Sequence, residues 1–184
     1  MGIDLVKGQR VDIGLQNVVV GLGWAPGFDL DLSAFMLGEN KKLPSDGFFI
    51  FYKNTDSPDG AVVYSGDDRS GESSDGDDDE SMTVKLDKVS PNVTEIIFVA
   101  SIYDAHTTNQ NFGQVRDSYI RIYDANNPSN VLCKYELNED FSVESCVEFG
   151  RLYKRGSQWR FEAVGAGYRH NGSQPLQVLV DKYA

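Results

Sequence analysis

Hydrophobic and polar positions alternate over short distances along the whole chain. Ten apolar segments rich in Val, Ile, Phe and Tyr are separated by Gly, Pro, Asn and Asp. They span residues 17–23, 33–37, 48–52, 61–64, 82–86, 95–103, 118–123, 131–137, 145–153 and 158–164. This pattern predicts a mainly all-β fold, an antiparallel sandwich or barrel.

The segments differ in how many faces they bury. Residues 83–87 and 159–162 alternate between apolar and polar positions, which is typical of strands with one wet face. Residues 48–51 and 96–100 are apolar at successive positions and are predicted to be central strands. Helix is scarce: residues 90–95 can cap one short turn, and residues 176–183 can form a short terminal helix.

Most of the net negative charge comes from one segment, residues 66–80 (GDDRSGESSDGDDDE), which we call the acidic segment. The chain has 28 Asp and Glu against 17 Lys and Arg, and without this segment the balance is 20 against 16. Such a focal excess concentrates cations, and carboxylates with glycine-exposed carbonyls are the oxygens that calcium binds. The alternative is a solvated loop. The segment is not an EF-hand, because Glu80 stands where that loop needs glycine.

A second acidic pair, Asp29 and Asp31, lies in the stretch Trp24-Ala-Pro-Gly-Phe-Asp-Leu-Asp-Leu-Ser. In extended backbone, residues two apart point to the same side. Both carboxylates can therefore face one ion while Leu30 and Leu32 face the core. The pair and the acidic segment are predicted to meet at one end of the fold.

Length and composition predict a single domain over residues 1–184. Cys133 and Cys146 have no metal or disulfide spacing and are predicted to be reduced core residues. The chain shows neither a secretion signal nor an apolar run of the roughly 18 residues that span a membrane. We therefore expect a cytoplasmic location, and the acidic balance disfavours nucleic acid as a partner.

Motifs of catalysis are absent from the sequence, so we expect a protein that is not an enzyme. His106 and His170 lie in polar stretches with no nucleophile motif nearby and are expected at the surface. The glycines at 21–23 and 165–167 do not open a helix and indicate a bulge or close strand packing. The amide-rich loop 103–116 either braces itself or lends Asp104 or Asn111 to an ion site.

Six stretches of the chain together resemble the TerD family of tellurium-resistance and stress proteins. They are LVKGQRVDI, Gly23-Trp24, FDLDLSAFML, YSGDDRSG with its continuation DGDDDE, IYDAHTTNQNFGQVRDSYIRIYD and FGRLYKRGSQWRFEAVGAGY. The resemblance implies an antiparallel β-sandwich, a bacterial cytoplasmic setting and more than one bound calcium ion. The ligands it implies are Asp29, Asp31, Asp67, Asp68, Gly71, Asp77, Asp78, Asp79 and Glu80. Asp68 stands where the family usually has Asn.

The function expected from this resemblance is a non-catalytic calcium-binding module of a stress-response system that resists tellurite, phage and colicins. Its acidic loops would present a surface to other proteins of a stress complex, with a place at the inner membrane surface among the options. One alternative is a calcium-dependent membrane-targeting module in which residues 24–28 insert. The other is a metal-dependent phosphohydrolase.

Overall fold

The computed structural model describes residues 2–65, 78–137 and 141–184. Its strands are β1 (Ile3–Leu5), β2 (Arg10–Ile13), β3 (Asn17–Gly23), β4 (Leu30–Leu37), β5 (Phe49–Ile50), β6 (Val62–Tyr64), β7 (Glu80–Lys85), β8 (Glu95–Ile102), β9 (Tyr119–Asp124), β10 (Asn127–Glu136), β11 (Cys146–Arg155) and β12 (Gln158–Tyr168). Two short helices, α1 (Ala105–Thr108) and α2 (Gln177–Tyr183), and two 3-10 turns, Asp46–Phe48 and Leu86–Lys88, complete the described elements.

The strands form two six-stranded sheets that pack face to face. The first sheet has the order β1-β10-β9-β3-β7-β6 and the second β2-β12-β11-β8-β4-β5. Neighbouring strands run antiparallel except for β1 and β10, which are parallel. The predicted β-sandwich is confirmed, and each of the ten apolar segments overlaps a strand. The pattern missed β1 and β2, which are short and mostly exposed.

Alternation along the strands places the core between the sheets. In β7, Met82 and Val84 point inward while Thr83 faces outward. The inward positions of β4 include Leu30 and Leu32, as predicted. The intervening residues of β4 lie on the outer face of the second sheet, so this strand alternates between two different environments.

The C-terminal helix α2 covers part of that outer face. Phe35 and Leu37 of β4 pack there against Leu179 and Tyr183 of α2. Because both faces of β4 are covered in this region, its sequence is apolar at successive positions. The predicted terminal helix is confirmed.

The two segments predicted to be central strands differ in outcome. Strand β8 lies between β11 and β4 and is buried at every position, as predicted. The prediction was wrong for residues 48–51, because β5 is the edge strand of the second sheet. Its apolar run serves a stack of rings on the outer face, in which Phe49 lies 4.5 Å from both Phe35 and Phe51 between ring centroids.

The connections contain one helix that the sequence pattern did not indicate. Helix α1 lies inside the amide-rich loop 103–116. Residues 90–95 form a turn, closed by the Val93 N–H donating to the Ser90 carbonyl at 2.9 Å. Cys133 and Cys146 are free and buried, as predicted. None of the helices within the described ranges is long and apolar enough to cross a membrane.

Candidate metal centre at the acidic edge

The acidic segment joins β6 to β7, which confirms its predicted position between two strands. Both flanks are tied to neighbouring strands. The Ser65 N–H donates to the Ser81 carbonyl at 3.0 Å, and the Asp79 N–H donates to the Leu22 carbonyl at 2.9 Å. Four predicted ligands, Asp67, Asp68, Gly71 and Asp77, lie outside the described residues. Asp78, Asp79 and Glu80 are described, and their side chains go to three different places.

Glu80 links the two sheets. Its side chain is buried at the inner start of β7. Its Oε2 accepts the backbone N–H of Leu32 in β4 of the opposite sheet at 2.5 Å. Strand β5 pairs with β4 only at Ala34 and Phe35, so Glu80 takes the place of a strand neighbour beyond the end of β5. The carboxylate thus stands beside the backbone that carries Asp31.

Asp79 contacts the backbone on the N-terminal side of Asp29 and Asp31. Its Oδ2 accepts the backbone N–H of Trp24 at 2.9 Å. The Trp24 indole N–H in turn donates to the Phe28 carbonyl at 2.9 Å, which closes the turn 24–28. Trp24 is only 5% exposed. Its ring belongs to the core and offers no support for membrane insertion by this turn.

Asp29 and Asp31 lie on the segment between those two contacts. The Asp29 carbonyl accepts the Tyr103 N–H at 2.8 Å. Asp31 is buried in β4 opposite Ser101 of β8, on the outer face of the second sheet. Asp79 and Glu80 therefore contact the backbone on either side of Asp29 and Asp31. The structure brings these four residues to one edge of the sandwich, which we call the acidic edge.

Asp78 lies apart from them, on the outer face of the first sheet. Its Oδ1 pairs with Arg121 Nε at 2.8 Å and accepts the Tyr119 hydroxyl at 3.1 Å. It covers Gly21, where a Cβ would lie 2.0 Å from Asp78 Oδ2. A Cβ at Gly23 would lie 2.4 Å from the Tyr119 ring. The close packing predicted for the glycines at 21–23 is therefore present.

The contacts of Asp78 also change the acid–base behaviour of its neighbours. Burial, followed by the charge and hydrogen bond of Asp78, raises the pKa of Tyr119 well above its usual value. Burial lowers the pKa of Arg121, but the hydrogen bond and charge of Asp78 outweigh it, so this pKa is raised overall. Both groups keep their protons at any physiological pH. Sequence reasoning missed Arg121 and Tyr119; the signal that could have found them is glycine at alternate positions of β3, which leaves room on one face.

The donor chemistry of the acidic edge fits calcium, since every candidate ligand offers oxygen. The described residues by themselves do not form a complete centre: within them, no three His, Cys, Asp or Glu side chains lie close enough to hold a metal ion together. Asp78 Oδ2 is buried and has no hydrogen-bond partner among the described atoms. Its other oxygen is engaged by Arg121, whose positive charge competes with a cation.

The residues suggested as further ion ligands in the loop 103–116 serve that loop. Asp104 accepts a hydrogen bond from Gln174 Nε2 and donates its N–H to Gln174 Oε1 at 3.0 Å. Asn111 Oδ1 accepts the Gly113 N–H at 2.9 Å. The Asn111 side chain braces the local backbone, which was the first of the two interpretations offered for this loop, whereas the Asp104 side chain ties the loop to Gln174.

The cysteines offer no reactive thiol at this edge or elsewhere. Burial raises the pKa of Cys133 to about 12 and raises that of Cys146 further. The thiolate, which is the reactive form, is therefore disfavoured at neutral pH.

A mainly-β sandwich with carboxylates from two sheets at one edge defines the class of protein, a β-sandwich with a candidate oxygen-ligand metal centre. Comparison with known proteins identifies the family. The TerD domain matches residues 1–183. Tellurium resistance protein TerD of Serratia marcescens is 45% identical over 179 residues, covering 91% of this chain and 92% of that protein. General stress protein 16U of Bacillus subtilis is 42% identical over 182 residues, covering 92% of each.

This chain belongs to the TerD family of tellurium-resistance and stress proteins, which confirms the resemblance found in the sequence. The fold agrees with solved structures. The crystal structure of a homologue of telluride resistance protein from Streptomyces coelicolor superimposes with a TM-score of 0.67, covering 89% of this chain and 95% of that one at 21% sequence identity.

Proposed function

We propose that this chain is a non-catalytic calcium-binding module of a bacterial stress-response system. It binds more than one Ca²⁺ at the acidic edge and presents the ordered edge to partner proteins in the cytoplasm or at the inner surface of the membrane. The observation that carries the proposal is the reach of Asp79 and Glu80 to the backbone at Trp24 and Leu32. Two carboxylates at the start of β7 thereby contact the backbone on either side of Asp29 and Asp31, which supports a shared site.

The chain's own residues supply the framework of this site. Glu80 and Asp79 each accept a backbone N–H, and a carboxylate can accept further contacts because its two oxygens carry about four lone-pair positions. Ion binding would neutralise the repulsion among the eight carboxylates of the acidic segment. The carboxylates of Asp79 and Glu80 accept backbone amides, and that of Asp78 pairs with Arg121. Because these contacts hold the local structure in place, they support a structural role over a catalytic one.

Calcium titration of chelator-treated protein tests the proposal, with magnesium as the control. We expect saturable binding of more than one Ca²⁺, weak competition by Mg²⁺ and a raised melting temperature. An ion that binds only the folded state stabilises it by about 2.7 kcal/mol at a hundredfold excess over the dissociation constant. The absence of binding at millimolar calcium would overturn the proposal.

Substitutions at the acidic edge locate the site. Glu80→Gln keeps an acceptor for the Leu32 amide and removes a charge, so we expect it to weaken calcium binding by about tenfold or more. Asp87→Asn, an exposed site just beyond the far end of β7, is the matched control and should have no effect. Asp78→Asn should weaken binding less than Glu80→Gln, because Asp78 is engaged by Arg121.

Two backbone amides give a direct readout by NMR. The Trp24 and Leu32 N–H groups donate to Asp79 and Glu80, so their proton shifts report on those carboxylates. We expect both signals to move with calcium and to stay in place with magnesium. An interaction surface ordered by calcium would be contradicted if both amide signals stayed in place on addition of calcium and if the protein captured partners equally in calcium and in chelator.

A further inference from the structure

A cavity of about 260 Å³ lies on the outer face of the second sheet, beside the C-terminal helix α2. Its walls include four aromatic side chains, Phe49, Phe51, Tyr52 and Tyr103, and the carboxylate of Asp31. Tyr52 and Tyr103 are 36% and 40% exposed, so they form the mouth. The cavity is therefore open to solvent on one side and aromatic within.

The rings pack against one another along one side of the cavity. Phe35 and Phe51 cover the two faces of Phe49. The half-exposed rings of Tyr52 and Tyr103 are therefore the ones that a ligand meets. Phe49 and Phe51 are stacked with centroids 4.5 Å apart. Tyr52 is turned edge-on to Phe51, at 5.3 Å and 76°, and Tyr103 edge-on to Tyr52, at 6.4 Å and 79°. Lys53 Nζ lies 5.8 Å from the centroid of Tyr52, within the range of a cation–π contact. Lys53 does not line the cavity, and its contact shows only that the Tyr52 ring can take part in a cation–π interaction.

The charge of the cavity comes from Asp31. The side chain is only 6% exposed and shares its face of the sheet with Ser101, which faces it across the strand pair. Gln174 also lines the cavity, and its amide is held on both sides by Asp104. The cavity combines aromatic faces, a buried negative charge and a fixed amide.

We propose that this cavity binds an organic ammonium group, such as a quaternary or methylated amine. Aromatic faces attract cations through the ring quadrupole, most strongly where water is excluded, and surround ammonium ligands in aromatic cages. The carboxylate of Asp31 adds charge complementarity and disfavours anions. A hard metal ion is a poor occupant of this cavity, because calcium needs six to eight oxygens and six of the ten lining residues are aromatic or aliphatic.

Binding of an ammonium group goes beyond the proposed calcium function and does not depend on it. The two share Asp31, so the experiment uses chelator-treated full-length protein. The probe is choline, and the comparison ligand is 3,3-dimethylbutan-1-ol, which has the same shape without the charge. Titration followed by calorimetry or by NMR shifts of the aromatic rings gives both affinities.

We expect choline to bind saturably and about tenfold more tightly than the neutral alcohol. Tyr103→Leu should weaken choline binding about tenfold, and because Tyr103 is 40% exposed, the variant should keep the fold. The matched control, Tyr153→Leu, removes a tyrosine that does not line the cavity and should have no effect. Asp31→Asn should abolish the preference for choline over the alcohol.

Equal binding of choline and the alcohol would mean that the cavity is only an apolar gap, and it would overturn the proposal. Absence of saturable binding at tens of millimolar choline would overturn it as well. Glu80→Gln should leave choline binding intact, and Tyr103→Leu should leave calcium binding intact. A failure of this inference is thereby distinguished from a failure of the calcium site.

Discussion

Replacement of Gly21 by alanine tests whether Asp78 is held in place by the shape of β3. The backbone at Gly21 is compatible with any residue, because its φ does not fall among the positive values. The obstacle is Asp78: a Cβ would lie 2.0 Å from its Oδ2 and 2.2 Å from its Cγ. Since both the oxygen and the carbon conflict, rotation of the carboxylate alone does not relieve the contact. The side chain must leave, and its contacts with Arg121 and Tyr119 must break.

The expected cost follows from what those contacts contribute. Removing one partner of a buried ion pair costs about 3–5 kcal/mol. Arg121 keeps 23% of its side chain exposed and can regain water, which places the loss at the lower end. Replacing glycine with alanine also restricts the unfolded chain, which returns about 0.4–1 kcal/mol. We therefore expect Gly21→Ala to lower the free energy of unfolding by about 2 kcal/mol.

A double-mutant cycle with Asp78→Ala separates this mechanism from a general effect on the strand. Chemical denaturation of the four proteins gives the free energies of unfolding. With Asp78 replaced by alanine, the three atoms nearest to the methyl group at position 21 are gone, so Gly21→Ala should become neutral or stabilising. An equal cost of Gly21→Ala in both backgrounds would refute the reasoning, because the conflict with Asp78 would then have no measurable consequence.

Two further predictions concern stability. Burial favours the neutral form of both thiols. Their contribution to the free energy of unfolding is therefore complete below the unfolded pKa of 9.0 and is lost as pH rises through about 12, the folded pKa of Cys133. A pH series of denaturation curves should show this alkaline decline, and the double variant Cys133→Ala, Cys146→Ala should reduce it. Arg151→Leu should cost about 3 kcal/mol at pH 7, because Glu95 is buried and, among the residues that the structure describes, would keep only Lys41 as a charged partner. Chemical denaturation of a double-mutant cycle with Glu95→Gln tests this, because the cost of Arg151→Leu should shrink once Glu95 is neutral. An equal cost in both backgrounds would contradict the ion-pair explanation.

The fold was predictable because its strands follow simple burial patterns. Alternation in β7 and the continuous apolar run of β8 each indicated the correct number of covered faces. The prediction of a central strand at residues 48–51 was wrong because an apolar run shows that both sides of a strand are covered but does not show what covers them. In β5 one side is covered by stacked rings near α2, and the strand is at an edge. Tertiary packing, which a local pattern does not contain, made the difference.

At the acidic edge the sequence indicated the placement of some residues and not of others. The i, i+2 rule placed Leu30 and Leu32 in the core, and density of charge singled out the segment that adjoins the acidic edge. Charge density did not reveal that Arg121 would engage Asp78 from two strands away in the first sheet. The sequence separation of 43 residues between them hides that contact, and only the register of β3 against β9 brings Arg121 opposite Gly21.

Three consecutive carboxylates illustrate why a run of acids is not a list of equivalent ligands. Asp78 lies on the outer face of the first sheet, Asp79 caps the amide of Trp24, and Glu80 crosses to Leu32 in the second sheet. The chain turns into β7 at this point, so successive side chains point in different directions. Asp79 and Glu80 are tied to the backbone that carries the Asp-Leu-Asp stretch, whereas Asp78 is tied to an arginine. If the proposed calcium site is correct, stability and ion affinity depend on different members of the run, and substitutions that affect one need not affect the other.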